Sequence, residues 1–197
     1  MRIGIDIDGC LTNEDDYRLA YVYKYCLERG IRRPNEPYSY EYKDSEWTHD
    51  MEEDYRSHYH EAYMQNTPVR LGAKEVLTLL REEGHTIILI TGRYPAFEDS
   101  ERGKRCRNLT EEWLRKNEIP YDALVYTGFP KISYIQKQNV DIMVEDFDET
   151  IKDCVKHFPT YCFDNRYNST LKLDNMTRFY SWWDFYGLIS DKCGWKE

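Results

Sequence analysis

The chain opens on the stretch Arg2-Ile3-Gly4-Ile5-Asp6-Ile7-Asp8-Gly9, in which a short apolar run gives way abruptly to two carboxylates. Short runs rich in β-branched residues are typical of strands buried in a parallel sheet. Two carboxylates this close to a buried strand repel each other unless a cation or a basic group lies nearby. The Asp-x-Asp-Gly pattern also occurs in ordinary turns. The stretch therefore predicts a buried first strand and leaves the role of Asp6 and Asp8 open.

Two later segments repeat this pattern of an apolar run that ends in polar residues. One covers residues 86–90 and ends at Thr91-Gly92-Arg93, and the other covers 140–144 and ends at Glu145-Asp146. Strands that alternate with helices predict right-handed crossovers and an α/β fold with a doubly wound, Rossmann-like parallel sheet. Ligands bind beyond the carboxyl ends of the strands in such sheets. All three polar endings are expected at that edge.

Weaker patterns fill in the rest of the predicted α/β core. Apolar residues recur at helical spacing from 72 to 83, where Gly84 provides a helix stop. Further helices are predicted at 109–116 and 149–158, and further strands at 121–126 and 160–163.

Residues 13–69 interrupt the alternation of strands and helices. Asn13 is a candidate cap for a helix that ends at Gly30, and a second helical pattern covers roughly residues 50–64. An insertion of this size directly after Asp8 is placed to cover the site as a lid. We therefore predict an α/β core formed by residues 1–12 and 70–197, with a small helical cap at 13–69.

The polar endings together predict a site for a divalent cation and an anion. Carboxylates that converge on one edge of a sheet (Asp6, Asp8, Glu145 and Asp146) form a hard-oxygen site suited to Mg²⁺. The backbone N–H groups of Thr91 and Gly92 can point at an anion. Lys131 precedes the last of these strands, where it could open a helix at the same edge.

Bulk composition limits the class of protein. The formal net charge of −9 disfavours binding of nucleic acid polymers through the general surface, because such binding requires phosphate neutralisation. No apolar run approaches the ~20 residues that would span a membrane, and the N-terminus does not read as a signal peptide. The six cysteines show no CxxC pattern, so reduced thiols and a cytoplasmic location are predicted.

The ordered combination of these elements resembles the four sequence motifs of the haloacid dehalogenase (HAD) superfamily. The matching pieces are residues 5–12, 90–93, Lys131 and 144–146. The resemblance covers residues 1–12 and roughly 70–165, with the insertion in the position of that superfamily's first type of cap. It implies a phosphatase that forms an aspartyl-phosphate.

The resemblance also implies a role for each matching residue. Asp6 would be the nucleophile, and Asp8 would protonate the leaving oxygen and later deprotonate water. Thr91 would bind phosphoryl oxygens and Lys131 would offset charge. Lys137 could fill the lysine role instead, but Lys131 is preferred, because its distance before Asp146 leaves room for a helix between them.

The implied cofactor is Mg²⁺. It would be bound by Asp6, the backbone carbonyl of Asp8, and Asp146, with Glu145 acting through water. Arg93 could assist phosphate or hydroxyl groups of the substrate, although a surface ion pair is the alternative reading of that arginine.

Within the superfamily, the chain most resembles small bacterial nucleotidases related to the 5′(3′)-deoxyribonucleotidases. A small phosphorylated substrate, a nucleotide above all, is therefore expected, with no membrane partner, and a homodimer is left open. Aromatic residues near the middle of the cap could stack on a base; these are Tyr38, Tyr40, Tyr42 and Trp47. The open alternatives are a sugar-phosphate or other small-molecule phosphatase, a phosphotransferase, and a non-catalytic binding module.

Overall fold

A parallel sheet forms the centre of the structure, a computed structural model that describes residues 1–34 and 47–190. Its strands within those ranges are β1 (Arg2–Ile5), β2 (Thr86–Thr91), β3 (Ala123–Tyr126), β4 (Ile142–Glu145), β5 (Thr160–Phe163) and β6 (Met176–Phe179). They lie in the order β3-β2-β1-β4-β5-β6, and all neighbouring pairs are parallel. The order reverses between β1 and β4, so the switch point of the sheet lies between these two strands.

Helices connect the strands and pack on both faces of the sheet. They are α1 (Glu14–Arg29), α2 (His49–Asn66), α3 (Ala73–Glu82), α4 (Glu101–Lys116), α5 (Ile132–Lys137), α6 (Asp148–Cys154) and α7 (Trp182–Ile189), with a 3₁₀ turn at Arg166–Asn168. Helices α3, α4 and α7 contribute buried side chains to one face, while α5 and α6 contribute to the other. The predicted fold class, a doubly wound α/β sheet, is confirmed.

Alternation along β1 explains how one strand supports both faces. Ile3 and Ile5 are fully buried in the larger core cluster, together with side chains of α3, α4 and α7. Gly4 faces the opposite side, where a Cβ atom would come within 2.8 Å of Met143 Sδ. The absence of a side chain at Gly4 leaves room for Met143 on this face, and parallel pairing places the carboxyl ends of β1 and β4 side by side.

The helical insert, which we define as α1 and α2, has a small core of its own. Val22, Tyr25, Cys26 and Tyr55 are buried against one another. Helix α1 ends at Gly30, whose φ of 64° lies in the left-handed region that glycine adopts without strain. The division of the chain into a core and a cap at residue 69 remains a prediction.

The C-terminal end of α2 is fixed to the core. Trp113 of α4 is buried and donates a hydrogen bond from Nε1 to the backbone carbonyl of Thr67, at 2.8 Å. An isolated antiparallel β-bridge between Thr12 and Val69 joins the segment that leads into the insert to the segment that leads out of it. The segment that follows α2 is therefore held in place by a side chain of the core.

Helix α4 differs from its predicted start, and strand β6 was not predicted. Helix α4 begins at Glu101, eight residues before the predicted start, with the Ser100 side chain accepting a hydrogen bond from the Gly103 N–H. Its first two turns are mostly polar, so they carry little hydrophobic periodicity. Strand β6 lies at the edge of the sheet and pairs with β5 alone. Of its four residues only Phe179 is buried, so the segment has no apolar run that would predict a strand.

The part of the chain that the structure describes contains no helix that is both long and apolar enough to span a membrane. Its five cysteines, Cys10, Cys26, Cys106, Cys154 and Cys162, are buried free thiols. Cys193 lies outside the described residues.

Replacement of Trp113 tests the attachment of α2 to the core. Trp113→Phe leaves the Thr67 carbonyl without its donor and removes buried volume, so the free energy of unfolding should fall by about 1.5–3 kcal/mol. Trp183→Phe is the matched control, because Trp183 is 48% exposed; its effect should stay within about 0.5 kcal/mol. Urea denaturation followed by circular dichroism measures both, and equal losses would contradict the assignment.

Candidate active site

The polar endings of three strands meet at the switch point of the sheet. Ile5 of β1 lies beside Val144 of β4, so Asp6 and Glu145 follow at neighbouring positions. The Asp6 N–H continues the ladder with a 3.0 Å bond to the Val144 carbonyl. Strand β2 flanks β1 on its other side and ends at Thr91. The predicted acidic residues and Thr91 are thus gathered at one edge.

A buried lysine links the first and third of these endings. Lys131, directly before α5, donates from Nζ to Asp6 Oδ1 at 2.7 Å and to Glu145 Oε2 at 2.8 Å. Burial lowers the pKa of Lys131, but the charges of Asp6 and Glu145 outweigh it and raise that pKa well above its ordinary value. Lys137 is the last residue of α5 and is exposed. Of the two candidate lysines, the structure brings Lys131 to Asp6.

Three buried carboxylates form a group that can hold a metal ion. One oxygen from each of Asp6, Glu145 and Asp146 lies within 4.8 Å of the others. Burial raises the pKa of Asp6 to about 8 against the opposing charge of Lys131. Burial, together with the charges of Glu145 and Asp6, raises the pKa of Asp146 well above its ordinary value. A cluster of anionic oxygens that one ammonium group balances only in part is a fitting site for Mg²⁺.

A turn after β5 orients Asp146, and no sequence pattern predicted this turn. Asn165 donates from Nδ2 to the Gly9 carbonyl at 3.2 Å and to Asp146 Oδ2 at 3.5 Å. The Tyr167 hydroxyl donates to the same carboxylate oxygen, and Asn168 Nδ2 donates to the Asp146 carbonyl. Gly9 has a φ of 79°, and a Cβ atom there would overlap the Asp146 carboxylate. Only glycine fits this close approach without strain.

Asp8 has surroundings unlike those of Asp6. Arg93 donates from Nε to Asp8 Oδ2 at 2.8 Å and from Nη2 to Oδ1 at 2.7 Å, and the Tyr63 hydroxyl donates to Oδ1 at 2.6 Å. Burial alone would raise the pKa of Asp8, but the charge and hydrogen bonds of Arg93 and the hydrogen bond of Tyr63 lower it below its ordinary value. The Arg93 guanidinium is itself buried and donates to Thr110 Oγ1 at 3.3 Å. It is therefore a buried partner of Asp8 and not a surface ion pair.

Thr91 and Gly92 lie where an anion could contact them. Thr91 is buried, accepts a 3.3 Å bond at Oγ1 from the Arg93 N–H, and borders the same cavity as Asp6. The Phe129 ring covers Gly92, where a Cβ atom would come within 2.7 Å of the ring. Glycine at this position thus lets the aromatic ring lie beside Lys131 at the edge of the site.

Comparison with proteins of known sequence gives a relative over nearly the whole chain. A protein of Clostridium acetobutylicum named as a nucleotidase is 27% identical over 191 residues, which cover 96% of this chain and 93% of that protein. No protein-family model matches the chain.

Comparison with solved structures identifies the fold. A predicted phosphoglycolate phosphatase of Haemophilus somnus aligns with a TM-score of 0.64 and 14% identity over 93% of this chain and 95% of that one. A HAD-superfamily hydrolase of Ehrlichia chaffeensis aligns with a TM-score of 0.53 and 11% identity over 94% of each chain. The fold is that of the haloacid dehalogenase superfamily. The resemblance that the motifs predicted is confirmed.

A cavity of about 410 Å³ opens over this group of carboxylates and Lys131. The insert contributes charged and polar residues to its lining, among them Glu14, Arg18, Arg56 and His60. Aromatic side chains also line it: Tyr55, Tyr59, Tyr63, Tyr94, Phe129 and Phe147.

The aromatic residues predicted to stack on a base are not among those lining the cavity. Trp47 packs instead against Tyr25 and Tyr55 within the insert, with its ring centroid 5.6 Å and 6.0 Å from theirs. Tyr38, Tyr40 and Tyr42 lie outside the described residues. The aromatic lining comes from α2 and from the loops after β2, β3 and β4. Tyr55, Tyr59 and Tyr63 recur every four residues along α2, whereas the other three aromatic residues come from three separate loops, so no single local pattern marked the whole set.

Replacing each of the two lysines in turn compares the contribution of a buried ion pair to stability with that of a surface charge. Lys131→Met leaves Asp6 and Glu145 buried without their counter-charge, so the free energy of unfolding should fall by about 3–5 kcal/mol in the presence of EDTA. Lys137→Met should change it by no more than about 0.5 kcal/mol. Chemical denaturation at pH 7.5 measures both variants. A loss at position 137 as large as that at 131 would contradict the charge assignment.

Glu14 provides a pH-dependent test of the buried acidic region. Burial, with the Asp8 charge adding to it, raises the pKa of Glu14 to about 7. The unfolded chain therefore releases this proton at lower pH than the folded chain, and stability contributed by the protonated form is lost as pH rises toward 7. Glu14→Gln removes that loss. The free energy of unfolding of the variant relative to wild type should accordingly be higher at pH 8 than at pH 5, by roughly 1–3 kcal/mol.

The matched control for this pH test is Glu75→Gln, because Glu75 lies on the exposed face of α3. Its difference from wild type should be the same at both pH values. A pH-independent difference for Glu14→Gln as well would show that Glu14 ionises in the folded protein as it does in the unfolded chain.

Proposed function

We propose that this chain is a Mg²⁺-dependent phosphomonoester hydrolase that forms an aspartyl-phosphate on Asp6, and that its substrates are nucleoside monophosphates. The observation that carries the proposal is the contact between Lys131 and Asp6 beside Glu145 and Asp146, all of them buried. A phosphate dianion repels a carboxylate nucleophile, so attack requires positive charge at that place. The centre offers an ammonium group and an oxygen cluster suited to a cation.

In the first step, an oxygen of Asp6 forms a bond to phosphorus while the bond from phosphorus to the ester oxygen breaks. The electron pair of the broken bond goes to the leaving oxygen, which takes a proton from Asp8. Arg93 and Tyr63 hold Asp8 ionised when no substrate is bound. A phosphate dianion nearby would raise the pKa of Asp8, because like charges favour the protonated form.

In the second step, Asp8 takes a proton from water as the water oxygen bonds to phosphorus. The bond between Asp6 and phosphorus breaks, and inorganic phosphate and the free carboxylate result. Division into two steps replaces one difficult hydrolysis by two easier displacements. Thr91 and the N–H of Gly92 would donate hydrogen bonds to the phosphoryl oxygens, and Lys131 would offset their charge.

Asp6, Asp146 and the backbone carbonyl of Asp8 would hold the Mg²⁺ ion, with Glu145 acting through water. When bound, the ion supplies positive charge that reduces the repulsion between the phosphate and the nucleophile. Glu145 would also keep its link to the protein, because Oε1 accepts the N–H groups of Asp146 and Phe147, both at 3.1 Å.

Two observations favour a nucleotide as the substrate. A relative that spans nearly the whole chain is named as a nucleotidase. In addition, the cavity has the size of a small-molecule pocket, and Phe129 and Phe147 are among the residues that line it. Phe129 is 62% exposed, and an exposed aromatic face can stack on a base.

A sugar phosphate is the second candidate. Glu14, Arg18, Glu52 and Arg56 place several polar groups of the insert in the cavity lining, and these could bind sugar hydroxyls. A phosphotransferase would use the same centre with another acceptor in place of water. The presence of Asp6, Asp8, Thr91, Lys131 and Asp146 together argues against a non-catalytic binding module.

The insert would serve as the lid of the site, in keeping with the predicted boundary at residue 69. Its residues line one side of the cavity, so it would select the leaving group while the core carries the chemistry. A cytoplasmic location is proposed from the cysteines, which show no CxxC pattern and of which the described ones are free thiols. Formation of a homodimer remains a prediction.

Phosphate release from a panel of substrates tests the proposal. We expect wild-type protein with Mg²⁺ to release phosphate from deoxy- and ribonucleoside monophosphates in preference to sugar phosphates. Asp6→Asn, or addition of EDTA, should reduce the rate by at least about a thousandfold. The matched control, Asp174→Asn, changes an exposed carboxylate remote from the site and should retain the wild-type rate.

The outcomes of this assay separate the two parts of the proposal. Preference for sugar phosphates, with the same need for Asp6 and Mg²⁺, would keep the mechanism and overturn the nucleotide assignment. No release from any substrate, p-nitrophenyl phosphate included, would favour a binding module.

A further inference from the structure

Tyr63 is a residue of the insert that contacts the proposed acid directly. It lies in the last turn of α2, and its hydroxyl donates to Asp8 Oδ1 at 2.6 Å. Burial and the charge of Asp8 raise the pKa of Tyr63 well above its ordinary value, so the phenol remains a hydrogen-bond donor at neutral pH. Asp8 is therefore held by Arg93 from the core and by Tyr63 from the insert.

The donors are distributed unevenly over the two Asp8 oxygens. Oδ1 accepts two hydrogen bonds, from the Tyr63 hydroxyl and from Arg93 Nη2, while Oδ2 accepts one, from Arg93 Nε. A carboxylate oxygen offers about two acceptor positions. Donors from the described residues therefore occupy both acceptor positions of Oδ1, whereas one acceptor position of Oδ2 is left to carry a proton.

The position of Tyr63 is itself well supported. Its ring packs near those of Tyr17 and His60, with centroids 5.9 Å and 6.4 Å away. Thr67 Oγ1 donates to the Tyr63 carbonyl at 2.5 Å, and Trp113 of the core binds the Thr67 carbonyl. The phenol is therefore tied to the core, although it belongs to the insert.

From this geometry we infer that Tyr63 is a positioning residue that fills Oδ1 of Asp8 and so directs the catalytic proton to Oδ2. The inference rests on the proposed function, in which Asp8 is the general acid. As the bond between phosphorus and the leaving oxygen breaks, its electron pair goes to that oxygen, and the proton moves there from Oδ2. Asp8 is left as a carboxylate bound by Arg93 and Tyr63. Without the phenol, the proton could occupy Oδ1, facing the insert.

The dependence on the leaving group tests this role. Phenyl phosphate and p-nitrophenyl phosphate have similar shapes, but phenolate is the more basic leaving group and depends more on protonation. We expect Tyr63→Phe to lower kcat/KM about tenfold for phenyl phosphate and less than about twofold for p-nitrophenyl phosphate. Asp8→Asn should show the same selectivity with a larger loss. Because kcat/KM covers the steps up to release of the leaving group, later hydrolysis of the aspartyl-phosphate does not obscure the result.

Phenylalanine keeps the ring of Tyr63 and its packing, and a thermal melt checks that the variant is folded. Tyr25→Phe is the matched control, because it removes another phenol of the insert, one that donates to Asp54 at 2.8 Å. It should leave the ratio of the two kcat/KM values unchanged. An unchanged ratio in Tyr63→Phe, or an equal loss with both substrates, would overturn the inference. If wild-type protein cleaves neither substrate, the proposed function fails and the inference fails with it.

Discussion

The buried ammonium of Lys131 is the interaction on which the rest of the site depends. Asp6, Glu145 and Asp146 are buried within a few ångströms of one another, and burial of several like charges is strongly unfavourable unless a cation compensates them. Lys131 bonds to two of the three. It can do so because the chain between β3 and α5 brings it to the edge where β1 and β4 end. The topology of the sheet brings these carboxylates together, and their burial in turn requires the positive charge of Lys131.

Two carboxylates separated by one residue have opposite electrostatic surroundings. Asp6 lies among other carboxylates, and burial raises its pKa to about 8, whereas Arg93 and Tyr63 lower the pKa of Asp8. Alternation along an extended segment can direct neighbouring side chains to different places, but it does not determine which partners they find. The partners come from the loop after β2 and from α2. Separate roles for two aspartates in one short stretch thus arise from tertiary structure, in the way that paired carboxylates acquire different functions elsewhere.

The sequence predicted what depends on strand endings and missed what depends on long-range contacts. Apolar runs that stop at Asp6, Thr91 and Glu145 mark the edge of a parallel sheet, and the fold follows from their alternation with helices. Tyr63 and Tyr167 could not be predicted, because nothing near them in the sequence indicates a carboxylate partner; both meet one only after the chain has folded. The lining aromatics were missed for the same reason. Strand β6 and the first turns of α4 have too little periodicity to be recognised without the elements that pack beside them.

The structure also indicates how substrate choice and chemistry can vary separately in this protein. The carboxylates and Lys131 belong to the core, whereas many of the polar groups in the cavity lining belong to the insert. Substitutions on α1 and on the first turns of α2 can therefore change the shape of the cavity without a direct effect on Asp6. The end of α2 is different, because the hydrogen bond from Trp113 to the Thr67 carbonyl fixes it to the core beside Asp8. The end of α2 therefore holds the proposed acid through Tyr63, while residues on α1 and nearer the start of α2 line the rest of the cavity.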